Sequence, residues 1–89
     1  MKCVMSYDLA PGGLAKAAQH GPAHAARLRE FHAKGVLLMA GPYADPAQGA
    51  LGIFTSREAA EEFIRGDPFV TEGVVGHWTL KEWREVLAD

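Results

Sequence analysis

Cysteine, clustered charge and long apolar runs are what these 89 residues lack. The lone Cys3 cannot close an internal disulfide, and a single thiol is no framework for a metal or a redox pair. It sits in an apolar, strand-like run, where a buried and inert thiol is the expectation. Nine Lys plus Arg against eleven Asp plus Glu leave a formal charge of −2, too small and too mixed to follow a phosphate backbone. Aromatics make up 9% of the chain and form no paired stacking platform, so nucleic-acid binding is not expected. No segment approaches a membrane span, and the opening MKCVMSYD is too short and polar for a signal peptide. Gly12-Gly13 lacks the G-x-G-x-x-G or G-K-[ST] context of a phosphate loop. These absences predict a soluble cytoplasmic protein without nucleic-acid or membrane partners.

What is present is an ordinary globular composition, 48% hydrophobic and 22% charged, in one domain spanning residues 1–89. A chain this short buries a limited share of its surface and is marginal alone. Residues 2–8, KCVMSYD, read as a strand with Cys3, Met5 and Tyr7 on one face and Val4 and Ser6 on the other. Apolar groups on both faces mark it as central. PGG at 11–13 breaks it, and LAKAAQ at 14–19 is too short for a helix of its own. Gly21-Pro22 then punctuates. Pro suits a first helical turn, so the main helix is expected from Pro22 to Lys34, with Gly35 closing it and His20 outside it.

VLLMAGPY at 36–43 and ALGIFT at 50–55 read as an antiparallel hairpin with a loop, ADPAQG, between them. Thr55 or Ser56 caps the next helix. With Thr55, the spacing to Glu58 is a capping box. Ala59, Ala60, Phe63 and Ile64 form its buried stripe, and Gly66 ends it. Asp67 before Pro68 is placed to cap a short helical turn, DPFVTEG. Residues 74–83 are the last strand, with Val74, Trp78 and Leu80 on one face and Val75, His77, Thr79 and Lys81 on the other. The tail REVLAD is expected to add at most a short helical turn. The order β-α-β-β-α-β is that of a ferredoxin-like α+β domain: a four-stranded antiparallel sheet with two helices on one face. The bare face is apolar enough to predict a homodimer, sheet against sheet.

The chemistry centres on His24. A helix turns about 100° per residue, which puts Leu28 and Phe31 within about 40° of His24 on the inward stripe. A packed histidine bonded to backbone is the plain reading of that position. A start at Pro22 would place the imidazole near the positive helix end, which favours its neutral, proton-accepting form. Asp67 is by itself a cap, but a carboxylate can also orient an imidazole and stabilise its charged form. Sequence does not give their separation. His20 and His24 are four apart, a metal-ligand spacing on a helix, but no third ligand stands at a recognisable spacing, so neither metal nor other cofactor is expected. His77 reads as a half-exposed strand residue, His32 as a surface or dimer-edge residue, and Ser6 as a poor nucleophile without a base.

In order and spacing, the His24 helix with RLREFHAKG, then VLLMAGPY, then GALGIFTSREAAEEFI, then Asp67-Pro68-Phe69-Val70 and Gly73 resemble the YciI-like, or YCII-related, family. The resemblance covers nearly the whole chain. It implies a ferredoxin-like domain that pairs into a dimeric α+β barrel, related to cofactor-free barrel enzymes such as muconolactone isomerases. It implies a His–Asp site, here His24 and Asp67, and one member type is a dehydrochlorinase of a chlorinated hydroxyhydroquinone. Many relatives carry an Arg three residues before the His, where this chain has Gly21. Either His20 or Arg27 stands in for that guanidinium, or the pocket takes a different ligand.

Two functions follow as expectations. One is a small lyase or isomerase acting on a small-molecule ligand, a hydroxylated aromatic or carbonyl compound. His24 would be its base or acid, Asp67 would orient it, and Tyr7, Arg27, Met39, Gly41, Pro42 and Phe69 would shape the pocket. The other is a non-catalytic, dimeric binding or accessory module in which Asp67 is only a cap.

Overall fold

The structure is a computed structural model that describes residues 1–89. Four strands, β1 (Lys2–Leu9), β2 (Leu37–Pro42), β3 (Ala50–Phe54) and β4 (Val75–Trp83), form an antiparallel sheet in the order β2-β3-β1-β4. Helix α1 (Gly13–Ala33) connects β1 to β2, and α2 (Arg57–Gly66) with the short α3 (Pro68–Thr71) connects β3 to β4. This is the ferredoxin-like α+β arrangement, with β1 central, as its apolar residues on both faces predict, and β3 beside it.

The helices cover the face that carries Cys3, Met5 and Tyr7. These pack with Phe54 of β3, Phe31 of α1, and Ala60, Phe63 and Ile64 of α2 into one core. Three phenyl rings meet there: Phe63 lies 5.2 Å from Phe31 at 85° and 5.4 Å from Phe54 at 52°, geometries that suit aromatic quadrupoles. Burial pushes the Cys3 thiol up, against the pull of Arg57, which keeps it protonated and unreactive. The opposite sheet face carries Val4, Ser6, Met39, Leu51, Ile53, Thr79 and Lys81 and has no helix on it.

Several local expectations are corrected. Helix α1 begins at Gly13, so LAKAAQ and His20 belong to it and Pro22 lies in its interior. An interior Pro forfeits one backbone hydrogen bond and crowds the preceding turn, at a cost of about 3 kcal/mol. The stripe Leu14, Ala17, Gly21, His24, Leu28, Phe31, spaced 3-4-3-4-3, runs through it and keeps the two halves one helix. The cap of α2 is Ser56, whose hydroxyl accepts from the Ala59 N–H, so the Thr55–Glu58 box does not form. The tail after Trp83 has no regular structure, although Glu85 pairs with Lys2.

Irregularities in both outer strands decide which way their side chains point. Between Leu37 and Met39 the pairing with β3 slips, so Met39 opposes Ile53 on the bare face instead of following Leu37 inward. A second slip lies between Asp8 and Leu9 of β1, opposite Gly76. It brings Val75 to the helix side, opposite Leu9, rather than to the His77 face. Glycine is needed at that slip, because a Cβ on Gly76 would come within 2.8 Å of the Ala10 backbone.

Candidate active site

Asp67 is the pivot. It closes α2 and caps α3, and the Pro68 ring after it favours the extended backbone, φ −74° and ψ 119°, that a cap needs. Its carboxylate is completely buried yet fully occupied. Oδ1 accepts from the Phe69 backbone N–H at 3.1 Å and from His24 Nδ1 at 2.7 Å, and Oδ2 accepts from the Tyr7 hydroxyl at 2.6 Å. A buried carboxylate is tolerated when charge-assisted bonds of this kind surround it. Tyr7 comes from the central strand β1, Asp67 from the α2–α3 junction and His24 from α1, so three separate elements converge here.

A carboxylate only accepts, so the proton between the pair sits on Nδ1. In the neutral imidazole Nε2 is then the nitrogen with the free lone pair, and no group of the chain bonds to it. The ring is held flat against Phe69, with centroids 3.8 Å apart and planes 3° from parallel, and meets the Phe63 edge at 6.3 Å. It has one orientation to offer. Burial, and then the neighbouring Asp67 charge and hydrogen bond, push the Tyr7 hydroxyl far above its ordinary range, so it remains a donor to the carboxylate.

Beside this triad is a cavity of ≈ 330 Å³ between the sheet and α1. His24, Tyr7, Gly41, Pro42 and Phe69 line it, together with apolar residues that the sequence pattern did not single out: Leu9, Leu14, Ala17, Leu28, Ala40, Val74 and Val75. Leu14 and Ala17 were signalled by the 3-4-3-4-3 stripe. Val75 was not, because its position depends on the slip at Gly76.

Arg27 and Met39 are not in the cavity. Arg27 turns toward the end of α2, where Nε donates to the Phe63 carbonyl at 3.0 Å and a terminal nitrogen donates to the Glu62 carbonyl at 2.8 Å. Its guanidinium also lies 4.7 Å from the Phe31 ring centre. It is a helix C-terminal clamp. Gly66 permits it, since a Cβ there would sit 2.6 Å from the guanidinium carbon. Met39 lies 68% exposed on the bare sheet face, where the β2 slip puts it.

The helix-end argument for His24 also changes. With α1 starting at Gly13, the imidazole is mid-helix, beyond the first turn to which the dipole effect is confined. Asp67 alone sets its tautomer. His20 is on the same helix but not at the cavity, and His32 bonds through Nδ1 to the Leu37 carbonyl at 2.7 Å. No group of three or more His, Cys, Asp or Glu side chains is placed to hold a metal ion, and no helix is long and apolar enough to cross a membrane.

Comparison with known families places this geometry. The model of the YCII-related domain matches residues 1–84, almost the entire chain. The chain belongs to the YCII-related family. Protein YciI of Escherichia coli O6:H1 (strain CFT073) and Protein YciI of Shigella flexneri are each 39% identical to it over 79 aligned residues, covering 74% of this chain and 79% of theirs. Among solved structures, TftG of Burkholderia phenoliruptrix AC1100 superposes with a TM-score of 0.78 over 94% of both chains. TftG is a 5-chloro-2-hydroxyhydroquinone dehydrochlorinase, seen in complex with 2,5-dihydroxybenzoquinone. At 22% identity that likeness speaks for a shared YCII-like fold.

Proposed function

We propose that this YCII-related protein is a cofactor-independent proton-transfer enzyme, a lyase or isomerase acting on a small hydroxylated ring or carbonyl compound. The observation that carries the reading is the single hydrogen bond between His24 Nδ1 and the buried Asp67, with Nε2 left free at the cavity. In this reading Nε2 takes a proton from an acidic O–H or C–H of the ligand. The electron pair left behind moves into the conjugated system, and Asp67 stabilises the imidazolium. Return of that proton to another atom completes an isomerisation. In a lyase, a leaving group departs from the neighbouring carbon with its bonding pair and the proton passes to solvent. The fold shared with TftG, a dehydrochlorinase of a ring compound, supports a single small ring as the ligand.

The test is proton exchange in D₂O followed by NMR. Wild-type protein is incubated with simple monohydroxylated phenols and with cyclic ketones. We expect deuterium to enter at least one of them at a carbon beside or conjugated with the oxygen, faster than in buffer. Binding without exchange or elimination for every compound would leave the non-catalytic module as the correct reading.

The assembly we propose is a homodimer joined through the bare sheet face. Met39, Leu51, Ile53 and Tyr43 line a shallow apolar groove there, a poor surface to leave in water. Sedimentation should give a mass near twice the 9.6 kDa chain, and a monomer at micromolar concentration would contradict it.

A further inference from the structure

The walls of the cavity are almost wholly apolar, and no Asp, Glu, Lys or Arg side chain is among them. Only two lining residues, His24 and Tyr7, carry a strongly polar side chain, and the Tyr7 hydroxyl is spent on Asp67. The one lining side-chain nitrogen without a partner in the chain is therefore His24 Nε2. Arg27, the cation one helical turn from His24 on α1, is held by the Glu62 and Phe63 carbonyls.

We propose that the cavity selects an uncharged, mainly apolar single-ring compound that presents one acidic group to His24, and that it rejects carboxylates and polyhydroxylated rings. This rests on the proton-transfer reading for the role of His24, but the selection itself follows from the walls. A buried polar group without a partner keeps its desolvation cost, and a buried charge without a counter-charge costs more. A single hydroxyl finds Nε2. A second or third hydroxyl meets Leu28, Ala40 or Val75 and loses its water for nothing. A carboxylate would be buried among apolar walls with no lysine or arginine to pair with, and with the Asp67 carboxylate already bonded to the one imidazole. At ≈ 330 Å³ the space is at the small end of ligand sites, which suits one substituted ring.

The experiment is titration calorimetry of the wild-type protein near neutral pH with three probes of similar size: 4-ethylphenol, 1,2,4-benzenetriol and 4-ethylbenzoate. We expect 4-ethylphenol to bind about 10-fold or more tighter than the triol, and the benzoate to be weaker still. A triol or benzoate that binds as tightly as the phenol, or a phenol that does not bind, overturns the proposal. Exchange into bound 4-ethylphenol is measured separately. A retained preference without exchange sinks the catalytic reading alone, and exchange without the preference sinks this one alone.

Discussion

A His24→Gln variant is expected to lose the proton-exchange activity by about 10²- to 10⁴-fold, the usual contribution of a positioned base, while remaining folded. Gln spans a similar length, and its amide donates to Asp67 Oδ1 much as the Nδ1–H does, so the buried carboxylate keeps a partner. What disappears is the free Nε2. Asp67→Asn is the informative companion. The Phe69 N–H fixes the Oδ1 position as an acceptor, so the new amide NH₂ must take the place of Oδ2, where the Tyr7 hydroxyl can turn and accept from it. The remaining oxygen still receives the His24 Nδ1–H, so the tautomer survives and only the negative charge is lost. The activity of the Asp67→Asn variant should therefore fall between those of the parent and of His24→Gln. Exchange rates and circular dichroism of both variants check this. An unchanged rate in a folded His24→Gln chain would remove His24 from the chemistry.

The largest stability effect is expected at Phe63→Ala, at about 3–5 kcal/mol. The Phe63 ring is fully buried and touches the rings of Phe31, Phe54 and His24, and the Arg27 guanidinium lies 5.6 Å from its centre. Removing it leaves a void among rigid rings that cannot close over it, because they are anchored on two different elements, α1 and β3. Domains of this size have roughly 5–15 kcal/mol in total, so the variant should unfold at a much lower urea concentration, if it folds at all. Leu14→Ala, on a residue 51% exposed, is the control and should move the midpoint little. A Phe63→Ala loss below about 1 kcal/mol would contradict this account of the core.

Much of this was legible in the residues. The two-sided apolar pattern of β1, the hairpin, the stripe of α2 and the Asp67-Pro68 cap depend on neighbours a few positions away, and they point to the observed ferredoxin-like fold with β1 inside the sheet. The pairing of His24 with Asp67 was suspected from residue types and resemblance, but the 2.7 Å contact is a property of three elements meeting. The errors share one cause. Pro22 is a helix starter by local rule, and only the inward stripe on both sides of it keeps it interior. Strict alternation gives Val75 the His77 face, which the slip at Gly76 breaks, and the slip after Leu37 turns Met39 away from the pocket it is expected to shape. Arg27 was read as a pocket cation because nothing nearby in sequence announces the carbonyls of Glu62 and Phe63.

Between Gly13 and Gly21 the only buried residue of helix α1 is a glycine, whereas the other half sends Phe31 into the core. The half that roofs the cavity therefore contributes little to holding the molecule together. Side chains at Leu14 and Ala17 can be exchanged with small effect on folding, while each exchange alters the space above His24. What enters and whether the chain folds are thus governed by different stretches of one helix. Descendants of this sequence can change their ligands there at little risk to the scaffold.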